Sequence, residues 1–424
     1  MSKLIVEGEH RLNGVVHIHG AKNSALPILA ATFLAGEVCE IENCPLLSDV
    51  HAAIKILEHL GCRIEREGHT VRVDASQAGG YEVPDTLMRE MRSSIVFLGA
   101  IAARTGRAQL SFPGGCELGP RPIDLHLAVL RQLGLCIDEE GGKLLCRVRG
   151  RLVGCPISLS FPSVGATENI LLAAATARGT TTIFNAAREP EIVDLCNFLI
   201  ACGAHIRGAG EGTIIIEGVD RLHGCHHRVI PDRIETATYM GAAAITGGSL
   251  LLKEVCPEHV QALIPVFEET GCQVTAWRGE LLVNAPGRLR RIRTVRTLPY
   301  PGFPTDAQAL IMALSSVAEG TSVFIETIFE SRYKHVCELM RMGAHIKVEG
   351  RVAVVEGVST LCGAPVECTD LRGGAALVLA GLAAQGITEI TQLQHIERGY
   401  EAMAETLAGV GAHIVLQSGY GADT

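Results

Sequence analysis

The chain has 424 residues and a formal net charge of −9, from 46 acidic against 37 basic side chains. That balance excludes a general binder of nucleic acid or of anionic membranes, surfaces that are held through an excess of Lys and Arg. The length exceeds what one core sustains, so two domains are expected, and at 47% hydrophobic but 4% aromatic content their cores must be built from Ala, Leu, Ile and Val.

Taken in chain order, the first readable stretch is VEGEHRLNG at Val6, which returns as IEGVDRLHG at Ile216. Glu7, Gly8, Arg11, Leu12 and Gly14 recur as Glu217, Gly218, Arg221, Leu222 and Gly224, an offset of about 210 residues. A shorter phrase recurs six times: LGCRI at Leu60, LGLCI at Leu133, CGAHI at Cys202, TGCQV at Thr270, MGAHI at Met342 and VGAHI at Val410. Its glycines fall about 70 residues apart, and each copy reads as a helix closed by Gly and followed by a strand. Upstream of each lies a second glycine that closes a helix of small apolar residues, such as AKNSALPILAATFLAG or LRGGAALVLAGLAAQG. Such helices, apolar on every side, are buried, whereas the second helix of each unit, such as HAAIKILEHL, is amphipathic and faces solvent. Two halves of three units each follow. Residues 21–230 form one domain, and residues 1–20 with 231–424 form the other, so the N-terminal strands belong with the C-terminal half.

The loop FPGGCELGPRPIDLH, Phe112 to His126, carries the densest chemistry. Its glycines free the backbone and its prolines forbid a helix, which leaves Cys116 at a tip five residues before Arg121. An exposed thiol beside positive charge is a reactive one, while most cysteines are small buried hydrophobes; both readings of Cys116 stand at this level. The 15 cysteines include no C-x-x-C pair, and MSKLIVEGEHRLNG lacks a signal-peptide pattern, which fits free thiols in the cytoplasm. Cys225, His226 and His227 are adjacent on a strand, alternate faces and cannot converge on one ion, so no metal site is expected. Apolar runs stop short of a membrane span.

The starts of the six buried helices hold Lys22 and Asn23, Arg92, the run Ser163–Thr167, Arg233 and Glu235, Thr305 and Asp306, and Arg372. Cations there oppose the helix dipole, so each either pairs with a nearby carboxylate or serves a shared anion site.

With those residues in hand, the chain resembles the enolpyruvyl transferases along essentially its whole length, in particular the branch acting on UDP-N-acetylglucosamine. The resemblance rests on GAKNSALPILAA at Gly20, MRSSI at Met91, PGGCELGPRPIDLH at Pro113, SVGATENI at Ser163, NAAREPEIVDL at Asn185, FPTDAQA at Phe303, ETIFESRY at Glu326, DLRGGAALVLAG at Asp370 and IERGYE at Ile396. It implies an α/β fold of two domains, an inside-out α/β barrel in which each domain is three βαβαββ-type repeats around buried helices, with a double crossover and an active site between the domains.

The implied reaction moves the enolpyruvyl group of phosphoenolpyruvate to the 3-hydroxyl of UDP-N-acetylglucosamine, releases phosphate and opens peptidoglycan synthesis. The resemblance implies Cys116 as proton donor and site of a covalent adduct, Asp306 as general base, and Lys22 and Arg398 as further catalytic groups. Phosphoenolpyruvate contacts fall to Lys22, Asn23, Arg121 and Arg398. Those to the UDP-sugar fall to Arg92, Arg121, Pro122, Ile123, Asp124, Leu125, Ser163, Val164, Gly165, Asp306 and Ile328, with Arg332 and Arg372 as anion or closure contacts. No cofactor, metal, nucleic acid, membrane or obligate protein partner is implied. Phe161 stands where some members carry lysine, and Pro120 before Arg121 is unusual. Two other readings share the sequence: a synthase acting on shikimate phosphate, and a regulatory UDP-sugar-binding paralogue without turnover.

Overall fold

The computed structural model describes residues 2–112 and 123–417. Each small-residue stretch becomes a buried helix: α1 (Lys22–Ala35), α2 (Phe97–Thr105), α3 (Val164–Ala174), α4 (Arg233–Thr246), α5 (Thr305–Ser316) and α6 (Leu371–Ala383). In α1 every residue except Asn23 is buried. A helix apolar on all sides has no face to give to water, so it becomes the middle of a core.

Chain contacts divide the described residues into two units, residues 20–112 with 123–230, and residues 2–19 with 231–417. Each has its own hydrophobic core. In the first unit α1, α2 and α3 pack on one another; in the second α4, α5 and α6 do. Small residues permit the close approach: a Cβ on Gly241 of α4 would lie 2.9 Å from Cδ1 of Leu379 in α6.

Among the described residues six separate four-stranded sheets cover these helices, three in each unit, and none closes on itself into a barrel. All six share one topology, a parallel pair extended by two antiparallel strands. Three of them are completed by chain from far away. Strand Lys3–Glu7 lies between Ile387–Thr391 and His413–Gln417, and strand Asn13–His17 pairs in parallel with Ser249–Lys253. In the other unit His226–Arg228 returns to pair with Val38–Glu42.

The six phrase glycines, Gly61, Gly134, Gly203, Gly271, Gly343 and Gly411, share φ values from 94° to 107°. A side chain is strained there, which is why the helix-to-strand turn keeps glycine in every copy. Two expected elements differ in detail. The stretch MRSSIVFLGAIAARTG is a 3-10 turn at Arg92–Val96 leading into α2, because Met91 is extended and the Ser94 hydroxyl donates to the Met88 carbonyl. Helix Pro190–Ala201 is largely buried instead of solvent-facing, since Asp194 accepts hydrogen bonds from His227 and the Ile230 amide on the returning chain. No described helix is long and apolar enough to cross a membrane.

Candidate active site

In the unit containing α4 to α6, the start of α5 places Asp306 at the edge of the core. One carboxylate oxygen accepts from Nη2 of Arg332 at 2.9 Å, and the other accepts from Nε and Nη2 of Arg372 at 3.3 and 3.1 Å. Both arginine side chains are 3% exposed, while that of Asp306 is 28% exposed. Two buried guanidiniums therefore orient a carboxylate that still reaches solvent.

Each arginine is fixed in turn. Arg332 also donates to the Thr305 carbonyl, and Nη1 of Arg372 donates to the Tyr400 hydroxyl at 3.0 Å. That hydroxyl lies 2.9 Å from Thr238 on α4. Burial opposes the charge on Arg372, but Tyr400, Asp306 and Asp232 outweigh it and hold its pKa above the usual arginine value. Arg398 is half-buried two residues before Tyr400.

Beneath this group lies Glu326, 1% exposed. It accepts from the hydroxyls of Thr297 and Thr305 at 2.9 and 3.0 Å and from the amides of Ile328 and Phe329 at 2.8 and 3.1 Å. One buried carboxylate thus ties the first turn of α5 to the loop carrying Ile328.

In the unit containing α1 to α3, Lys22 opens α1, is 8% exposed, and donates to Asp49 at 3.1 Å. Ser163 caps α3 by accepting from the Ala166 amide. The helix Asp124–Gln132 brings His126 against the same spot: its Nδ1 lies 2.9 Å from Nδ2 of Asn169, and a Cβ on Gly165 would stand 2.6 Å from its Cε1. Burial pushes the His126 pKa down to about 4, so the ring is neutral and Nδ1 accepts from the Asn169 amide. The segments Ile123–Leu125 and Ser163–Gly165 are thereby joined through one ring. Glu168, on the next turn, is pushed up to about 8 by burial and by Glu191 and Glu189, which makes it largely a neutral acid.

Of the expected residues, Cys116, Arg121 and Pro122 lie outside the described residues, as does the Arg92 side chain. The structure joins Asp306, Arg332 and Arg372 directly, and joins Ile123–Leu125 to Ser163–Gly165 by way of His126. At the helix starts of Lys22 and Arg372 a carboxylate is the partner, as the first of the two helix-start readings expected, and Arg332 likewise meets a carboxylate. Sequence reading missed Asp49, His126, Asn169 and Glu326. For Glu326 the alternation of the preceding strand carried the signal, because Ser322, Phe324 and Glu326 continue one buried face at a period of two.

Comparison with known proteins adds to this geometry. A family profile described as EPSP synthase (3-phosphoshikimate 1-carboxyvinyltransferase) matches residues 6–407. The chain is 52% identical over 418 residues to UDP-N-acetylglucosamine 1-carboxyvinyltransferase 2 of Caldanaerobacter subterraneus, covering 98% of this chain and 99% of that protein. It is 49% identical to the UDP-N-acetylglucosamine 1-carboxyvinyltransferase of Sodalis glossinidius, covering 98% and 99%. Among solved structures, the enolpyruvyl transferase NikO of Streptomyces tendae superimposes with a TM-score of 0.89 at 27% identity, covering 99% of each chain. An EPSP synthase of Acinetobacter baumannii, at 19% identity and a TM-score of 0.75, shares the fold.

Proposed function

This chain belongs to the EPSP synthase family of enolpyruvyl transferases, and on that premise we infer that it transfers the enolpyruvyl group of phosphoenolpyruvate to the 3-hydroxyl of UDP-N-acetylglucosamine, releasing phosphate. Near 50% identity over the full length to enzymes named for that acceptor favours it over shikimate phosphate. The observation that carries the chemistry is the Asp306 carboxylate, oriented by Arg332 and Arg372 yet open to solvent.

The reaction is an addition followed by an elimination. Cys116 gives a proton to the methylene carbon of phosphoenolpyruvate, a task suited to a thiol, which is mostly protonated at neutral pH. Asp306 takes the proton of the sugar hydroxyl as it attacks, and the tetrahedral ketal then expels phosphate as its methyl group gives up a proton, which restores the carbon–carbon double bond. Lys22, Asn23, Arg121 and Arg398 neutralise the phosphate and carboxylate of the donor, whose charge must be met away from bulk water. The UDP-sugar is held by Arg92, Arg121 to Leu125, Ser163 to Gly165 and Ile328. Glu326 sets the loop of Ile328, and His126 sets that of Gly165. A covalent adduct of Cys116 with phosphoenolpyruvate, residence in the cytoplasm and a role in cell-wall growth and division complete the proposal.

The test is phosphate release from phosphoenolpyruvate with each acceptor separately. Strict dependence on UDP-N-acetylglucosamine supports the reading; dependence on shikimate 3-phosphate refutes it.

A further inference from the structure

We propose that Cys39, Cys202 and Cys225 form a site for a zinc ion, bound through three thiolates, at the seam where the first unit closes on itself. The three sulfurs lie within 4.8 Å of one another. Zinc bound at about 2.3 Å from sulfur in tetrahedral geometry sets its thiolates about 3.8 Å apart. One pair, Cys202 and Cys225 at 3.3 Å, has to open only slightly to admit the ion.

The backbone holds the group together across long stretches of sequence. Cys39 lies on strand Val38–Glu42, Cys202 caps helix Pro190–Ala201, and Cys225 directly precedes strand His226–Arg228. The Glu40 amide donates to the Cys225 carbonyl, and the His223 amide donates to that of Cys202, both at 2.9 Å. Cys39 and Cys202 are fully buried and Cys225 is half-buried, so the ion has two enclosed ligands and a path in through the third.

The repeat supplies a second, independent observation. The other unit has the same seam, where Leu250 pairs with Gly14 and a Cβ on Gly14 would lie 3.1 Å from Cγ1 of Val410. The fold therefore closes on apolar residues without any thiol, and packing does not explain three sulfurs converging in one unit alone. Three is also one more than a disulfide uses, and soft thiolates select zinc or copper(I) over hard cations. The sequence concealed the site because only Cys225 of the Cys225–His227 tract belongs to it. His226 turns to Glu42 and His227 to Asp194, while the other two thiols come from residues 39 and 202.

Each zinc–sulfur bond replaces a sulfur–hydrogen bond, the proton passes to the buffer, and no sulfur is oxidised. The bound ion ties the returning strand to the first strand and to the helix beside it.

The experiment titrates the metal-free, reduced full-length protein with Zn2+ against a chromophoric chelator, and in parallel with Co2+ while following the sulfur-to-cobalt charge-transfer absorption. One zinc per chain, a thiolate–cobalt band and a raised unfolding midpoint in the loaded protein are expected. Cys202→Val, which copies Val410 of the other seam, lowers zinc affinity by at least about a hundredfold, and Cys39→Val does the same. Replacement of the exposed Cys136 by Ser leaves binding unchanged. A wild-type protein that takes up no zinc, a cobalt complex without thiolate absorption, or equal binding by the folded Val variants overturns the proposal. Should the variants not fold, the wild-type cobalt spectrum alone decides it.

Discussion

Arg372 grips the carboxylate of Asp306 through two of its nitrogens, Nε at 3.3 Å and Nη2 at 3.1 Å, while its third nitrogen holds Tyr400. Lysine carries the same charge but lacks the planar fork, so it cannot orient the carboxylate and reach Tyr400 at once. Arg372→Lys is therefore expected to lower kcat/KM by roughly two orders of magnitude, chiefly through kcat, because a base held at the wrong angle affects the chemical step most. Steady-state kinetics under both substrates check this, and an unchanged kcat speaks against orientation of Asp306 as the role of Arg372.

Cys116→Ala removes the proposed proton donor without altering the groups assigned to the nucleotide. Turnover is expected to fall by about two to four orders of magnitude while UDP-N-acetylglucosamine binding, followed by calorimetry, survives. Phosphate release at the wild-type rate in this variant removes Cys116 from the mechanism.

At Gly165 a methyl group meets a ring that has little room to leave. The new Cβ would stand 2.6 Å from Cε1 and 3.1 Å from Nε2 of His126, itself anchored by Asn169. Gly165→Ala should cost about 1–3 kcal/mol of stability and raise KM for the nucleotide sugar more than it changes kcat. Adding His126→Ala should recover part of the loss, since the two changes share one contact. Strictly additive losses in the double variant argue against that contact.

The two limbs of the pH–stability curve have identifiable sources. His126 and His335 titrate near 6.5 when unfolded and are each pushed down to about 4 by burial, so the unfolded chain takes up protons first. The stability they confer is complete above about pH 6.5 and is lost as pH falls toward about 4. Glu168 behaves oppositely, being pushed from 4.5 up to about 8; its contribution is complete below about pH 4.5 and is lost as pH rises through about 8. Glu168→Gln should flatten the alkaline limb and stabilise the protein at pH 8 by on the order of a few kcal/mol. His126→Gln should flatten part of the acid limb. Urea unfolding from pH 4.5 to 8.5 measures both, and an alkaline limb unchanged by Glu168→Gln contradicts the assignment.

The fold was legible because its repeats write the same instruction six times: a helix of small residues, a second helix, a glycine and a strand. Gly61 and Gly411 close the first and last copies with the same backbone turn, φ 95° and 107°. From the residues alone the site was legible only where a side chain is unusual for its position, as with cations at helix starts; Asp306, a carboxylate where the helix dipole favours one, was expected from the resemblance. Glu326, Asp49 and His126 were missed because an acid or a histidine near a helix or strand end looks solvated until tertiary contacts bury it. The trio of Cys39, Cys202 and Cys225 was hidden for a related reason, since no spacing rule links residues that a sheet brings together from opposite ends of a unit.

Strand Lys3–Glu7 sits between strands that begin at Ile387 and His413. A ribosome releases it long before these neighbours, so through the synthesis of everything between them this segment has no edge to join. The unit of α1 to α3 has all of its described strands by Arg228 and can fold while synthesis continues, whereas the other remains open until strand His413–Gln417 emerges. Truncation before the last repeat would thus strand the N-terminus as well, leaving an unpaired, β-prone ribbon for chaperones to shield.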